Sequence, residues 1–228
     1  MRPVKKRAQA ALNGSELAHS ETANLLGEFS ALLRQLGSPD DQAVPAASPA
    51  LFRVEAVETL EELQTFLEEY FAEVLVPVEL PSVAEACRHG QRGEARELLR
   101  CDRQLAPRLH GTPFAAPSLE IGRLQLARMR PLRGDRTVRR YLAAVEAGQA
   151  GGWHPLVYGL TLAVYSLPLR QGLHFYARET LTGLGEGAVR SRKFAEADVW
   201  EILQPLLDRV AAAVESTLGA EQAVPGQS

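Results

Sequence analysis

The stretch GGWHPLVYGLTLAVYSL, residues 151–167, decides the fold class. Its two glycines break the preceding pattern, and His154 and Pro155 follow them at a point where proline suits the first turn of a helix. The residues from there to Tyr165 are almost all apolar, without the alternation of a half-buried strand. The stretch therefore predicts an apolar helix.

Apolar residues recur at the spacing of one helical face in both directions from this stretch. Thr59 and Glu62 have the spacing of a capping box, and Pro77 and Pro81 are expected to end the helix that Thr59 begins. Gly122 on an inner helix face indicates close approach of a neighbouring helix, or is simply tolerated there. Besides the apolar helix, the pattern predicts helices over about 22–36, 60–76, 82–89, 92–106, 118–130, 135–147, 169–184 and 195–217.

The run EVLVPVEL, residues 73–80, is the one strand-like candidate, and a proline interrupts it. We therefore expect an all-α, single-domain bundle of about eight to nine helices. Residues 1–20 are expected to form a flexible basic N-terminal arm, residues 21–218 the helical domain, and residues 219–228 a mobile C-terminal tail.

Composition excludes several classes of protein. The net charge of -3 leaves no global electrostatic attraction for nucleic acid, and an aromatic content of 6% argues against a platform for stacked bases. No apolar run approaches the ~20 residues of a membrane-spanning helix, and no apolar stretch follows the basic start as in a secretory signal. We expect a cytoplasmic protein with neither a nucleic-acid nor a membrane partner.

The residues that carry chemistry are scattered. There is no phosphate-binding GxxxxGK[ST] loop and no HExxH pair, and two cysteines cannot build a four-thiolate zinc site. Cys87 and His89 are the one close pair, which is interpreted either as a core cysteine beside a histidine or as a soft-metal or nucleophilic site. The residues alone predict no catalytic, metal or cofactor site, and hence an interaction protein.

Two charged stretches each have two interpretations. The acidic stretch is a solvated helix face or a docking surface for a basic partner, and the basic stretch is a solvated corner or a surface for an acidic protein partner. The acidic residues are Glu55, Glu58, Glu61, Glu62, Glu68 and Glu69, and the basic ones are Arg128, Arg130, Arg133, Arg136, Arg139 and Arg140.

The order of several segments resembles the UreF family of urease accessory proteins. The strongest stretches are GGWHPLVYGLTLAVYSL and LRQGLHFYARETLTGLGEGAVRS, in which Tyr176 and the Ala188-Val189-Arg190 end match the family's YLYAWLSNLVSAAVR helix without a gap. Weaker resemblances upstream are TLEELQTFLEEYF, CDRQLAPRLHGTPFAAPSLEIGRLQL with its Gly122-Arg123 pair, and LLRQLGSPDDQAVPAASPALFRVEAV. Where the family continues with a hydrophobic residue and PLGQTDGQ, this chain has SRKFAEADVW, residues 191–200.

This resemblance implies an all-α homodimer without enzymatic activity or a cofactor of its own. Members of the family work with the accessory protein UreD, also called UreH, and with the GTPase UreG, and together these deliver nickel to apo-urease. In this picture the UreF-like chain recruits and regulates the GTPase. The resemblance thus implies a scaffold that couples nickel insertion to GTP hydrolysis.

Candidate partner-binding residues follow from the same alignment. Arg190 and Tyr176 come from the matched motif, whereas Arg178, His174 and Arg170 are included because they share its helix. Core packing remains an alternative role for Tyr176, and satisfying the last helical carbonyls remains one for Arg190.

Two other functions remain open from the sequence. One is a helical adaptor on the same fold with no connection to urease. The other is a small enzyme that uses the Cys87/His89 region.

Overall fold

The computed structural model describes residues 57–130, 134–190 and 193–222, all of which lie in one compact unit of the chain. The expected basic arm at 1–20, the helix expected at 22–36 and the last residues of the expected tail, 223–228, lie outside the described residues. Within the described ranges the structure is helical and contains no strand, so the all-α prediction is confirmed. None of the helices in these ranges combines the length and the apolar character needed to cross a lipid bilayer.

Eight α-helices and one π-helix make up the described part of the chain. The first three elements follow one another without a break, so that seven separate helical rods result. In chain order the elements are α1 (Leu60–Glu69), the π-helix (Tyr70–Glu79), α2 (Leu80–Gln91), α3 (Ala95–Leu109), α4 (Ala115–Arg128), α5 (Arg136–Glu146), α6 (His154–Val164), α7 (Leu169–Arg190) and α8 (Glu196–Gln222).

The predicted capping box begins α1. The hydroxyl oxygen of Thr59 accepts from the backbone N–H of Glu62 at 3.2 Å, and a carboxylate oxygen of Glu62 accepts from the backbone N–H of Thr59 at 3.2 Å. Two N–H groups that have no partner within the helix are thereby satisfied. Leu63 and Leu67, one turn apart, are buried and set the inner face of α1.

The helix stop predicted at Pro77 and Pro81 is wrong, because the chain stays helical through both prolines. Of the strand-like run 73–80, residues 73–79 belong to the π-helix and Leu80 begins α2. Proline has no N–H and its ring clashes with the carbonyl four residues earlier in an α-helix. The i→i+5 bonding of a π-helix changes that spacing, and the rod continues into α2, where Pro81 lies in the first turn. As a result Glu79 is buried at the end of the π-helix.

Two further helices are longer than predicted. The helix expected to end near 184 continues to Arg190, because its glycines are buried and allow close packing rather than a break. A Cβ added at Gly185 would lie 2.2 Å from the Cδ1 of Leu203, which shows how tightly α7 packs on α8. Helix α8 extends to Gln222, beyond the predicted end at 217, with Pro205 inside it.

Helix α6 forms the centre of the bundle. Every residue from His154 to Leu160 is buried, so that this helix is surrounded on all sides, as its apolar sequence predicts. It packs chiefly on α2 and α4, while α7 pairs with α8 and α1 lies against the π-helix and α8. A Cβ added at Gly159 would lie 2.3 Å from the carbonyl oxygen of Val83 and 2.8 Å from the Cβ of Ala86. Glycine at 159 therefore sets the distance between α2 and α6.

Replacing Gly159 by alanine is expected to destabilise the fold. The new methyl group would meet backbone atoms of α2 that have nowhere to move, and overpacking of this kind costs about 1–3 kcal/mol. Urea denaturation of wild type and Gly159→Ala, followed by circular dichroism, measures the difference in free energy of unfolding.

The matched control is Gly219→Ala. A Cβ at Gly219, also helical, meets nothing within 4 Å, so this change is expected to leave stability unchanged or raise it by roughly 0.5–1 kcal/mol. Equal stability of the two variants would contradict the proposed role of Gly159.

Candidate functional site

The five candidate partner-binding residues lie on α7 and divide into exposed and buried positions. Arg170 and Arg190 are exposed, and His174 and Arg178 are half-buried. Because Arg170, His174 and Arg178 are spaced four residues apart, they share one face of the helix. Tyr176 lies on the other side and is only 1% exposed.

The exposed arginines of α7 are engaged in ion pairs on the surface. Arg170 pairs with Glu215 of α8. The Nη1 of Arg190 donates to the carboxylate of Glu186 one turn earlier, at 3.3 Å. Exposed pairs of this kind add little stability, so both guanidinium groups remain accessible to an acidic partner at small cost.

Tyr176 belongs to a buried polar cluster, called here the Glu79 cluster, which consists of Tyr70, Glu79, His154 and Tyr176. The hydroxyl groups of Tyr70 and Tyr176 both donate to the same carboxylate oxygen of Glu79, at 2.7 Å and 3.1 Å. The Tyr176 hydroxyl also lies 3.4 Å from the Nδ1 of His154, and the two rings stack with centroids 5.3 Å apart. Of the two roles left open for Tyr176, the structure of this chain shows core packing.

The Glu79 cluster joins three elements that are distant in the chain. Glu79 and Tyr70 come from the two ends of the π-helix, His154 from the first residue of α6, and Tyr176 from the middle of α7. Because a buried carboxyl group must be hydrogen-bonded, these contacts favour one arrangement of the three helices. The cluster therefore connects the π-helix, α6 and α7 inside the core.

Burial changes the protonation of both ionisable groups in the cluster. It raises the pKa of Glu79 to about 7, although the two tyrosine hydroxyl bonds act in the opposite direction. It lowers the pKa of His154 to about 3, so the imidazole is neutral at physiological pH. Within the described part of the chain the Nε2 of His154 has no hydrogen-bond partner, which adds to the cost of protonating the ring.

Sequence reasoning missed Glu79. The one available signal was a single carboxylate inside the apolar run VLVPVEL, residues 74–80. Its proline predicts a helix end and a strand-like run, a pattern that assigns Glu79 to neither a buried nor an exposed face.

A second buried carboxylate, Asp102 of α3, holds the loop that leads into α6. It accepts from the hydroxyl of Tyr141 at 2.6 Å and from the backbone N–H groups of Gly151 and Gly152 at 2.6 Å and 3.0 Å. Gly152 has a φ of +77°, a conformation that side chains rarely adopt. Asp102 thus satisfies the loop backbone and positions the start of α6.

The Gly122-Arg123 pair of α4 closes the same loop from the other side. A Cβ at Gly122 would lie 2.0 Å from the carbonyl oxygen of Gly152, and the Nε of Arg123 donates to the carbonyl of Gly151 at 2.9 Å. Of the two interpretations of Gly122, the structure shows the close approach, made by the loop at Gly152 and Trp153 and by His154, the first residue of α6.

Both cysteine residues are buried and neither forms a disulfide. Cys87 is fully buried where α2 meets α6, and the Nδ1 of His89 lies 2.7 Å from the carboxylate of Glu94. Burial and the nearby Glu85 raise the pKa of the Cys101 thiol to about 12, which disfavours the reactive thiolate. Among the described residues no three His, Cys, Asp or Glu side chains are grouped so that they could hold a metal ion.

Comparison with known proteins identifies a family for most of the described residues. The family model for UreF matches residues 57–207, which is α1 through the middle of α8. A urease accessory protein UreF from Paenarthrobacter aurescens (strain TC1) is 34% identical over 74 residues, covering 32% of this chain and 33% of that protein. The matched region therefore spans about a third of the length of this curated relative.

Glu79 and His154 are both expected to make the free energy of unfolding depend on pH. Glu79, whose pKa rises from 4.5 to about 7 on folding, takes up a proton when the chain folds, so its contribution to stability falls as pH rises through that window. His154, whose pKa falls from 6.5 to about 3, releases a proton, so its contribution rises with pH between those values. Between about pH 4.5 and 6.5 the two effects oppose each other.

Glu79→Gln is expected to remove the contribution of Glu79 to this pH dependence and to leave that of His154. The amide oxygen still accepts from the tyrosines but does not titrate, so the stability of the variant relative to wild type should increase from pH 4.5 to pH 7. The change is on the order of 3 kcal/mol, measured by urea denaturation at several pH values. Glu73→Gln, an exposed position on the same π-helix, is the control and should change little. A Glu79→Gln difference that is constant with pH would refute the assignment.

Proposed function

This chain belongs to the UreF family, and from that premise we propose that it is a urease accessory protein that acts as a non-catalytic scaffold. Its partners are a UreD/UreH-like accessory protein, a UreG-like GTPase and apo-urease. The observation that carries the proposal is the family match over residues 57–207, which includes most of the helical core.

The geometry of the buried polar groups supports a scaffold rather than an enzyme. Glu79 and Asp102 are the buried carboxylates of the described core, and both accept hydrogen bonds from groups of this same chain. Glu79 is 5% exposed and Asp102 is 2% exposed. Their chemistry is used to hold helices together, which leaves the surface to carry the function.

The proposed mechanism is a coupling of binding equilibria. The scaffold binds the GTPase, and the nucleotide state changes the affinity of the GTPase for the assembly, so that nickel transfer to apo-urease accompanies GTP hydrolysis. Nickel is cargo of the assembly in this scheme. A homodimer of the chain in the cytoplasm is the form in which we expect it to work.

The exposed side of α7 is the proposed contact surface. Arg170, His174 and Arg178 share one face, and Arg190 ends the helix with its guanidinium exposed. These side chains suit acidic groups on a partner. Tyr176 contributes indirectly, because its buried contacts hold α7 in place.

Co-purification tests the proposal. The full-length chain should capture a UreD/UreH-like protein and a UreG-like protein, and the amount of GTPase retained should differ between GDP and a non-hydrolysable GTP analogue. A folded chain that retains neither protein in either nucleotide state would contradict the proposed function.

Charge reversal tests the surface separately. Arg178→Glu and Arg190→Glu should each weaken capture about tenfold, because an attractive contact becomes repulsive. Arg103→Glu, exposed on α3, is the matched control and should bind as wild type does. Thermal denaturation of each variant confirms that the fold is retained, and equal binding by all three variants would place the contact elsewhere.

A further inference from the structure

A groove between α1 and α8 lies apart from the Glu79 cluster. It has a volume of about 500 Å³ and runs along α8 from Asp198 to Arg209. At 1.5 Å per residue these positions span about 17 Å, or roughly three helical turns. The groove is therefore long enough for a short helical segment of another protein.

The floor of the groove is apolar. It is lined by Leu60 from the first position of α1 and by Ile202, Pro205 and Leu206 of α8. Leu60 is 37% exposed although it is a large apolar side chain. Covering it removes apolar surface from water, which favours an occupant with an apolar face of its own.

The walls of the groove are acidic. Glu61 and Glu68 lie on the α1 side, and Asp198 and Glu201 on the α8 side. In the described ranges of the chain these four carboxylates form no ion pair. Arg209, a cation among the described lining residues, has its guanidinium carbon 4.5 Å from the centre of the Phe71 ring.

Pro205, which also lines the groove, changes the backbone hydrogen bonding of α8. Because proline has no N–H, the carbonyl of Glu201 lacks the donor that it would have four residues later in a regular helix. This carbonyl belongs to the same residue as one of the acidic side chains. The carboxylates of Asp198 and Glu201 and this carbonyl are thus hydrogen-bond acceptors on α8.

We propose that the groove between α1 and α8 is a docking site for a basic amphipathic helix of a partner protein. Apolar side chains of that helix would cover Leu60 and its neighbours, while its lysines or arginines would face the four carboxylates. An acidic or neutral helix would bury these carboxylates without compensation, which selects for a basic occupant. Of the two interpretations of the acidic stretch, this one assigns Glu61 and Glu68 to docking, whereas Glu62 caps α1.

The site goes beyond the proposed role in urease maturation and does not depend on it. The described residues that line it come from α1 and α8 and include none of the α7 candidates. Loss of GTPase capture and loss of groove binding are therefore tested with different variants. A partner of the urease assembly or an unrelated basic protein would satisfy the same chemistry.

The test uses a synthetic 18-residue helical peptide with leucines on one face and lysines on the other, carrying a fluorophore and a central photo-crosslinker. Fluorescence anisotropy should show binding to the full-length chain, and crosslinks should map to α1 and α8. A peptide with glutamate in place of lysine should not bind. Crosslinks elsewhere, or equal binding of both peptides, would overturn the proposal.

Paired variants separate the groove from general charge. Glu68→Lys combined with Glu201→Lys should weaken binding about tenfold, whereas Glu73→Lys with Glu120→Lys, exposed sites outside the groove, should change it less than about twofold. Equal weakening by both pairs would show a nonspecific effect of net charge. Sedimentation of wild type and the groove variant tests whether a second copy of this chain occupies the groove instead. A dimer that the groove variant abolishes would assign the groove to self-association and overturn the proposal.

Discussion

The structure depends on one constraint, the burial of α6 on all sides. A helix that is surrounded by others must allow at least one neighbour to approach its backbone, and Gly159 provides that approach to α2. Gly122 does the same for the loop that enters α6, since its missing side chain leaves room for the carbonyl of Gly152. The rest of the bundle is arranged around these two contacts.

Two buried carboxylates stabilise the positions of the helices around α6. Asp102 holds the glycine-rich loop at the start of α6, and Glu79 joins the π-helix to α7 through Tyr176. An unpaired carboxyl group in the interior would be costly, so each is stable only when its partners are in place. Polar groups that enzymes would direct toward a substrate are thus used here for internal structure, while the charged groups that could meet a partner lie on α1, α7 and α8.

Local sequence signals predicted helix boundaries correctly where contacts with distant residues did not change the local preference. The capping box at Thr59 and Glu62 forms as its spacing predicts, and the His154-Pro155 start of α6 is where the proline places it. The local prediction was wrong at Pro77, where a π-helix accommodates the proline, and near Gly185 of α7, which packs against Leu203 of α8 instead of ending the helix. In both cases packing against distant residues outweighed the local preference.

The amino-acid sequence by itself determined the fold class, the apolar character of α6 and the family of the chain, because these depend on neighbouring residues and their order. Only the tertiary structure decided that Tyr176 faces inward, that Glu79 has a pKa near 7 and that Glu68 and Glu201 face one groove. Each of these properties depends on residues about a hundred or more positions apart in the chain, such as Glu79 and Tyr176, whose hydroxyl and carboxylate meet at 3.1 Å. Periodicity carries no information about which distant side chain will supply the partner, and so burial, protonation and groove shape follow only from the packed structure.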